Sequence, residues 1–342
     1  MKNYVTLPAG YGGPGSFTAP VKVMYDALLD VDGGCIPQQL QPLANQLPDS
    51  LRSILKSGHS GPMPDTVDIP QDTGRVVVGY SGGKDSLATV LFLRDKGLRP
   101  CIFHVKGLNK SYPRELQAVQ RVERALDLHA EYPEVKLMGL HKWPDHPIKD
   151  QLILAMMIDF GAKHGATRYT MGTESTFTTT DANLLYNWSD TREMFLAFQD
   201  WVRLYFPAYW WGWCIENGTQ SYRLIWDLLP DGLEATTSCV MTHRFQDLRR
   251  KQNQEKFGLQ LLPGRCGSCW KCCVDYLACC AFGWYDSINA EYAKKCLDVY
   301  RDKLEVVFGP GRRKAATREA LLDEAVDPKY VDTSGLKAAL LP

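Results

Sequence analysis

The hexapeptide Ser81-Gly82-Gly83-Lys84-Asp85-Ser86 constrains the fold more than any other stretch of this chain. An apolar, β-branched run precedes it and predicts a strand over 76–80, and a second apolar run follows it and predicts a helix over 86–96. A strand that enters a helix through two glycines brings backbone N–H groups and the positive end of the helix dipole to one place. The sequence therefore predicts an anion-binding loop at residues 81–86.

The side chains of this loop point to a phosphate ligand. Gly82 and Gly83 keep Cβ atoms out of the anion's way, the two serine hydroxyls are donors, Lys84 is a cation and Asp85 can hold Mg²⁺. The pattern differs from G-x-x-x-x-G-K-[ST]. It resembles the S-G-G-x-D-S loop of the PP-loop ATP pyrophosphatase superfamily, whose members bind ATP and release pyrophosphate after attack at the α-phosphate. The resemblance assigns Ser81, Gly82, Gly83, Asp85 and Ser86 to ATP binding.

Strand and helix patterns alternate from residue 74 onwards. The apolar patterns predict further strands over 100–105, 135–140 and 169–172, and further helices over 112–126 and 148–164. Such alternation predicts an α/β fold with a doubly wound parallel sheet, in which ligands bind beyond the carboxyl ends of the strands. His104 and Gly172 lie at the carboxyl ends of two of these strands, so we expect them to line the nucleotide site, without a catalytic role for His104.

The composition limits the compartment and the partners. Lys and Arg together number 39, as do Asp and Glu, so broad charge-driven binding of nucleic acid is not expected. No apolar run reaches the ~18 residues that cross a bilayer, and the start of the chain lacks the pattern of a signal peptide. These features predict a cytoplasmic protein without a membrane partner. Disulfides are rare in that compartment, so the 11 cysteines need another explanation.

Cysteine spacing supplies that explanation. Cys266, Cys269 and Cys272 form overlapping C-x-x-C pairs, a pattern that suits tetrahedral Zn²⁺. The fourth ligand is either Cys239 or Cys273, and we favour Cys239 because neighbouring residues rarely point at one metal. The alternatives are an iron–sulfur cluster or reduced buried cysteines, which is the interpretation for Cys279, Cys280 and Cys296.

Together, these motifs resemble the 7-cyano-7-deazaguanine synthase family over roughly residues 74–280. The loop at 81–86 is the first match. Residues 188–195, Trp-Ser-Asp-Thr-Arg-Glu-Met-Phe, are similar to the family's substrate motif Tyr-Pro-Asp-Cys-Arg-Pro-Glu-Phe. Thr237-Ser238-Cys239 and the cysteines of 266–272 resemble its Trp-Ser-Cys and Cys-Gly-x-Cys-x-x-Cys zinc site.

The resemblance implies an ATP-dependent ligase. The family uses ATP, Mg²⁺ and ammonia to convert 7-carboxy-7-deazaguanine to an amide and then a nitrile through an acyl-adenylate. It implies catalytic roles for Lys84, Asp85, Asp190 and Arg192. Trp188 and Glu174 join Asp190 and Arg192 in substrate binding, and Zn²⁺ is held by Cys239, Cys266, Cys269 and Cys272.

Several departures leave the nitrogen acceptor open. Ser189, Thr191 and Glu174 replace the family's Pro, Cys and Asn, and Val240 to Arg265 form a long insert between zinc ligands. The acceptor is therefore either ammonia or an amine of a partner protein, as expected for diverged relatives in anti-phage defence. The alternatives are a tRNA-modifying PP-loop enzyme, by thiolation or lysidine-type ligation, and a non-catalytic binding module.

We expect three regions along the chain. Residues 1–74 form either an N-terminal extension with short helices over 21–29 and 47–55 or a disordered leader, and 75–235 form the ATP-binding catalytic domain. Residues 236–342 form a zinc-binding, helical C-terminal region. Aromatic residues are dense over 186–230, where they serve either as core or as a protein interface. Family members often dimerise, so the resemblance is compatible with a homodimer.

Overall fold

A computed structural model describes the parts of the chain that carry most of the predicted site. They are residues 4–6, 74–105, 112–128, 130–131, 136–138, 149–175, 190, 192–203, 208–215, 218–239, 241, 243–285 and 288–307. The helices expected over 21–29 and 47–55, the tail after residue 308 and Trp188 lie outside the described residues. The predicted region boundaries at 74 and 235 stay a prediction.

The chain divides into two compact units, each built from three segments. The sheet unit comprises Met1–Tyr80, Leu93–Asn109 and His129–Cys214. The cysteine unit comprises Ser81–Phe92, Lys110–Leu128 and Ile215–Pro342.

The sheet unit contains a five-stranded sheet in which every neighbouring pair is parallel. The strands of the unit, in chain order, are β1 (Tyr4–Thr6), β2 (Arg75–Gly79), β3 (Arg99–Phe103), β4 (Ala130–Glu131), β5 (Lys136–Met138), β6 (Arg168–Met171) and β7 (Trp210–Trp211). The order across the main sheet is β4-β3-β2-β6-β7, with Val77 of β2 opposite Cys101 and Tyr169. The predicted α/β class with a parallel sheet is confirmed.

The strand predicted over 135–140 does not belong to the main sheet. Lys136–Met138 instead pair antiparallel with Tyr4–Thr6 in a separate two-stranded sheet, and Ala130–Glu131 takes the position beside β3. The reason lies in the residue pattern, because strands buried on both faces of a parallel sheet are continuously apolar. The charged Lys136 interrupts the apolar residues of this segment, which suits a small antiparallel pair better than a sheet interior.

Buried apolar side chains hold the sheet unit together. Val76, Val77 and Val78 of β2 are fully buried. At Gly79 an added Cβ would lie 2.8 Å from Met171 Cγ and 3.1 Å from Met157 Sδ, so close packing requires glycine there. Strand β2 is therefore a tightly packed central strand, and it ends directly before the loop that begins at Ser81.

The helices are distributed along the whole described chain and agree closely with the predicted positions up to residue 164. In chain order they are α1 (Lys84–Asp95), α2 (Tyr112–Leu126), α3 (Lys149–His164), α4 (Arg192–Arg203), α5 (Gly218–Leu228), α6 (Gly232–Ala235), α7 (His243–Phe257), α8 (Trp270–Ala281) and α9 (Ala290–Val307). Helices α8 and α9 pack through Tyr276 and Tyr292, whose ring centres lie 4.6 Å apart. Within the described residues, every helix is too short or too polar to cross a bilayer.

Candidate metal centre and phosphate loop

Four buried cysteines of the cysteine unit converge on one point. Cys239 precedes helix α7, Cys266 and Cys269 lie in the loop before helix α8, and Cys272 lies in the first turn of α8. All four sulfur atoms lie within 4.8 Å of one another. The Sγ–Sγ distances are 3.8 Å for Cys266 and Cys272 and 4.0 Å for Cys239 and Cys269. A tetrahedral zinc site with metal–sulfur bonds of about 2.3 Å has sulfur atoms about 3.8 Å apart, so the group fits a metal of that kind.

Backbone amides stabilise negative charge on these sulfur atoms. Ser268 N and Cys269 N each donate to Cys266 Sγ at 3.3 Å, and Met241 N donates to Cys239 Sγ at 3.4 Å. Gly267 makes this turn possible with a φ of 71°. Hydrogen bonds from Cys239 and the other two cysteine thiols hold the pKa of Cys266 well below its usual range. A buried thiolate that receives such hydrogen bonds is suited to bind a metal cation.

The choice between Cys239 and Cys273 as fourth ligand is resolved by geometry. Cys273 is buried in contact with Cys296, and the hydrogen bond between the two thiols, together with burial, raises the pKa of Cys273. The cysteines expected to be inert, Cys279, Cys280 and Cys296, are also buried with free thiols. The structure therefore brings together the four predicted ligands and keeps Cys273 out of the group.

The two glycines of the loop at 81–86, here called the phosphate loop, differ in what surrounds them. Gly82 has a φ of 79°, and an added Cβ would lie 3.0 Å from both Glu115 O and Ala118 Cβ. At Gly83 the nearest atoms to an added Cβ would be Ser81 Oγ at 3.4 Å and Thr237 O at 3.7 Å, which are ordinary contacts. The fold therefore requires glycine at position 82, whereas the protein's own packing leaves room for a methyl group at 83.

Serine hydroxyls close the phosphate loop against the start of helix α1. Ser81 N donates to Ser86 Oγ at 3.2 Å, and the two hydroxyl oxygens lie 3.1 Å apart. Helix α1 begins at Lys84, and Leu87 N donates to Gly83 O at 3.1 Å. The amides in the first turn of a helix have no acceptor within that helix. The loop thus combines first-turn amides with hydroxyl groups, which suits an anion.

Lys84 and Asp85 are held by residues far away in the sequence. The two side chains form an ion pair with each other. Lys84 is only 7% exposed, and its Nζ lies 4.9 Å from the centre of the Tyr222 ring. Ser221 Oγ donates to Asp85 Oδ1 at 2.7 Å. Ser221 and Tyr222 lie on helix α5 and carry no recognisable motif, so sequence reasoning missed both.

The residues expected at the ends of strands belong to the sheet unit. His104 is buried and its Nδ1 donates to Tyr80 O at 2.8 Å, which fixes the ring. Gly172 is half-buried and is the central residue of a tight turn in which Thr173 N donates to Met171 O at 2.8 Å. Glu174, which follows in the same segment, is almost fully buried.

The expected substrate motif is described only in part. Asp190 is half-buried just before helix α4, and Arg192 is the exposed first residue of that helix. The Arg192 guanidinium carbon lies 5.9 Å from the centre of the Trp213 ring. Trp211 stacks on Phe195 with ring centres 4.4 Å apart, and both rings are buried. These two aromatic residues are core, one of the two roles expected for the aromatic region.

No protein-family model and no curated protein matches this chain. A function for it therefore has to follow from the chemistry of its own residues.

Proposed function

We propose that this chain is an ATP-dependent C–N ligase of the 7-cyano-7-deazaguanine synthase type. It activates the carboxylate of a 7-deazaguanine-type substrate as an acyl-adenylate and passes the acyl group to a nitrogen nucleophile. The observation that carries the proposal is the phosphate loop. Its Gly83 directly precedes Lys84 and Asp85 at the start of helix α1, and the protein's own packing does not require glycine at position 83. An open glycine of this kind suits close approach of a phosphate to the backbone.

The substrate carboxylate needs activation because a nitrogen nucleophile that attacked it directly would have to expel oxide as the leaving group. A carboxylate oxygen of the substrate attacks the α-phosphorus of ATP, and the bond to the bridging oxygen of the β-phosphate breaks to release pyrophosphate. The nitrogen nucleophile then attacks the acyl carbon, loses a proton and expels AMP. Lys84 would neutralise charge that develops on the phosphates, and positioning in the loop would supply the in-line geometry.

Asp85 is the proposed holder of Mg²⁺. Its carboxylate belongs to the first turn of helix α1, and the hydrogen bond from Ser221 orients it through Oδ1. Oxygen ligands are the ones Mg²⁺ prefers, and the ion when bound would neutralise charge on the phosphates of ATP. Zn²⁺ in the cysteine cluster would be structural, because four thiolates leave no open position.

Recognition of the substrate is proposed for the sheet unit. The Asp190 carboxylate could accept hydrogen bonds from the N–H and amino groups of a guanine-like edge, and Arg192 could pair with a carboxylate. Trp188 would stack on the ring system, and Glu174 would supply a further acceptor. The parallel sheet supports this assignment because its order reverses between β2 and β6, and ligands of such sheets bind at the reversal point.

The test is product analysis with a matched pair of variants in helix α1. With ATP, Mg²⁺, ammonia and 7-carboxy-7-deazaguanine, the protein should release AMP and pyrophosphate. Asp85→Asn should lower the rate by about a hundredfold or more, because a phosphate-bound metal loses its protein ligand. Asp95→Asn, at the exposed end of the same helix, should leave the rate unchanged. Formation of ADP, or equal rates for Asp85→Asn and the unaltered protein, would refute the proposal.

The nitrogen acceptor is identified by the mass of the product. An amide or nitrile of the deazaguanine that appears only with ammonia would favour the small-molecule reaction. A mass increase on a co-encoded protein, without need of ammonia, would favour conjugation to a protein amine. Salt-sensitive binding of tRNA together with modification of the tRNA would instead favour the tRNA-modifying alternative.

A further inference from the structure

A buried ion pair of the cysteine unit has contacts that lead both to the cysteine cluster and to the phosphate loop. Arg265 Nε donates to Asp275 Oδ2 at 3.0 Å, and the side chains are 3% and 4% exposed. The hydroxyl groups of Tyr222 and Ser238 also donate to Asp275. A buried carboxylate with three donors is held in one geometry, because losing any partner leaves charge or polarity uncompensated.

The segments that supply the metal-binding cysteines also build this ion pair. Arg265 directly precedes Cys266, Ser238 directly precedes Cys239, and Asp275 follows Cys272 by one helical turn of α8. Convergence of the cysteines on a metal therefore brings Arg265, Ser238 and Asp275 together as well.

A side-chain route leads from the ion pair to the phosphate loop. Tyr222 is fully buried, donates its hydroxyl to Asp275 and presents its ring to Lys84 Nζ at 4.9 Å. Its neighbour Ser221, also fully buried, donates to Asp85 at 2.7 Å. Burial, and next the charge of Asp275, raise the pKa of Tyr222 well above its usual range, so the phenol keeps its proton and remains a donor.

A second route, which includes main-chain atoms, also connects the ion pair to the phosphate loop. Arg265 Nη1 donates to Thr236 O and Arg265 Nη2 donates to Thr236 Oγ1, both at 2.8 Å. The next residue, Thr237, donates its N–H to Gly82 O at 2.8 Å. The same guanidinium thus fixes the ion pair on one side and the segment that holds the phosphate loop on the other.

We propose that metal binding at the cysteine cluster sets the geometry of the phosphate loop through the Arg265–Asp275 pair, with Tyr222 as a positioning residue for Lys84. This deepens the proposed function and rests on it for the identity of the loop's ligand. Coupling between the binding free energies of two sites is reciprocal, so a phosphate ligand at the loop should in turn raise the affinity for the metal.

The first test is amide hydrogen exchange in the phosphate loop of the full chain, measured with zinc bound and after zinc is removed by a chelator. In the unaltered protein, zinc removal should speed exchange of residues 82–87 by about fivefold or more. Tyr222→Phe keeps the ring but breaks the link to Asp275. Its loop should exchange faster with zinc bound, and zinc removal should speed that exchange less than in the unaltered protein, because only the main-chain route remains.

Tyr276→Phe is the matched control for this variant. Tyr276 is equally buried and adjacent to Asp275, but its hydroxyl accepts from Asn289 N and lies on neither route. Its loop should respond to zinc removal as the unaltered protein does. A Tyr222→Phe loop that responds fully to zinc removal would overturn the proposal, as would loss of the response in both variants.

Zinc affinity, measured by competition with a chelator, gives a second test. MgATP should tighten zinc binding by the unaltered protein by about fivefold or more. Tighter binding would support both the coupling and the proposed ATP site. A zinc-dependent change in loop exchange without any effect of MgATP would support the coupling and refute the ATP site. An effect of MgATP that is undiminished in Tyr222→Phe would refute Tyr222 as the positioning residue and leave the ATP site standing.

Discussion

The cysteine cluster and the phosphate loop lie in one unit, but they differ in the contacts that the protein itself makes with their residues. Around the cysteines, Gly267 makes the turn, and the amides of Ser268 and Cys269 hydrogen-bond to Cys266 Sγ. In the phosphate loop, Ser81 is exposed and Gly83 meets only ordinary contacts. The difference fits the proposal of a closed metal site in the cysteine cluster and an exchanging ligand at the phosphate loop.

In the proposed function, the buried ion pair would let two such sites coexist. A closed metal site gains stability from rigidity, whereas a nucleotide site must admit and release its ligand. Arg265 and Asp275 hold the side of the loop nearest Thr237 and Tyr222. The comparison therefore predicts that damage to the cluster reduces stability, and that damage to the open side of the loop reduces ligand binding alone.

The largest effect is expected for Cys266→Ser. The sulfur of Cys266 receives two amide hydrogen bonds and is fully buried, so its loss removes a metal ligand at the centre of the cluster. Structural zinc contributes about 10 kcal/mol or more of binding free energy in small domains, so we expect loss of the metal and a Tm lower by about 10 °C or more. Metal content by atomic emission and thermal unfolding by circular dichroism measure the two effects.

Cys280→Ala is the control for that variant. Cys280 lies on the same helix α8, buried and outside the metal-binding group. Its truncation should cost only about 1 kcal/mol and leave the metal content unchanged. Equal metal content in Cys266→Ser and the unaltered protein would contradict the assignment of the cluster.

How well the sequence predicts a feature depends on how far apart the residues of that feature lie along the chain. The phosphate loop and Cys266 to Cys272 are short local patterns whose chemistry is visible without the fold. Ser221 touches Asp85 across 136 residues of sequence, and no local pattern marks such a partner. Asp275 was equally invisible, because one acidic residue on a helix is usually solvated.

The sheet shows the same limit. Long apolar runs such as Val76–Val78 predicted central strands correctly. The strand Ala130–Glu131 has only two residues, which is too short to show a period, so the apolar pattern does not predict it. The same pattern predicts a strand over 135–140 but not that it pairs outside the main sheet. Strand partners depend on long-range pairing, which a local pattern of apolar residues does not encode.

Substitution of the two loop glycines tests the comparison through effects of intermediate size. Gly82→Ala should destabilise the protein by about 1–3 kcal/mol, because it combines a left-handed φ of 79° with a contact of 3.0 Å to Glu115 O. Gly83→Ala should leave the free energy of unfolding within about 0.5 kcal/mol and weaken MgATP binding at least about tenfold. Urea unfolding and titration calorimetry measure the pair. Unchanged ATP affinity in Gly83→Ala would show that no phosphate approaches this glycine.

The smallest effect concerns the pH dependence of the buried cysteines that hold no metal. Burial raises the pKa of Cys280 from its usual value near 9.0 to about 11. A pKa raised on folding means that the protonated thiol contributes stability below pH 9.0, and that this contribution is lost as the pH rises towards 11. Between pH 8 and pH 10 the unaltered protein should therefore lose about 1 kcal/mol more stability than Cys280→Ala. Urea unfolding of both proteins at each pH isolates this thiol, because all other titrating groups are shared. Equal losses of stability in the two proteins would mean that Cys280 is accessible to water. Cys280 would then not be the inert, buried thiol that the comparison with the metal-binding cysteines requires.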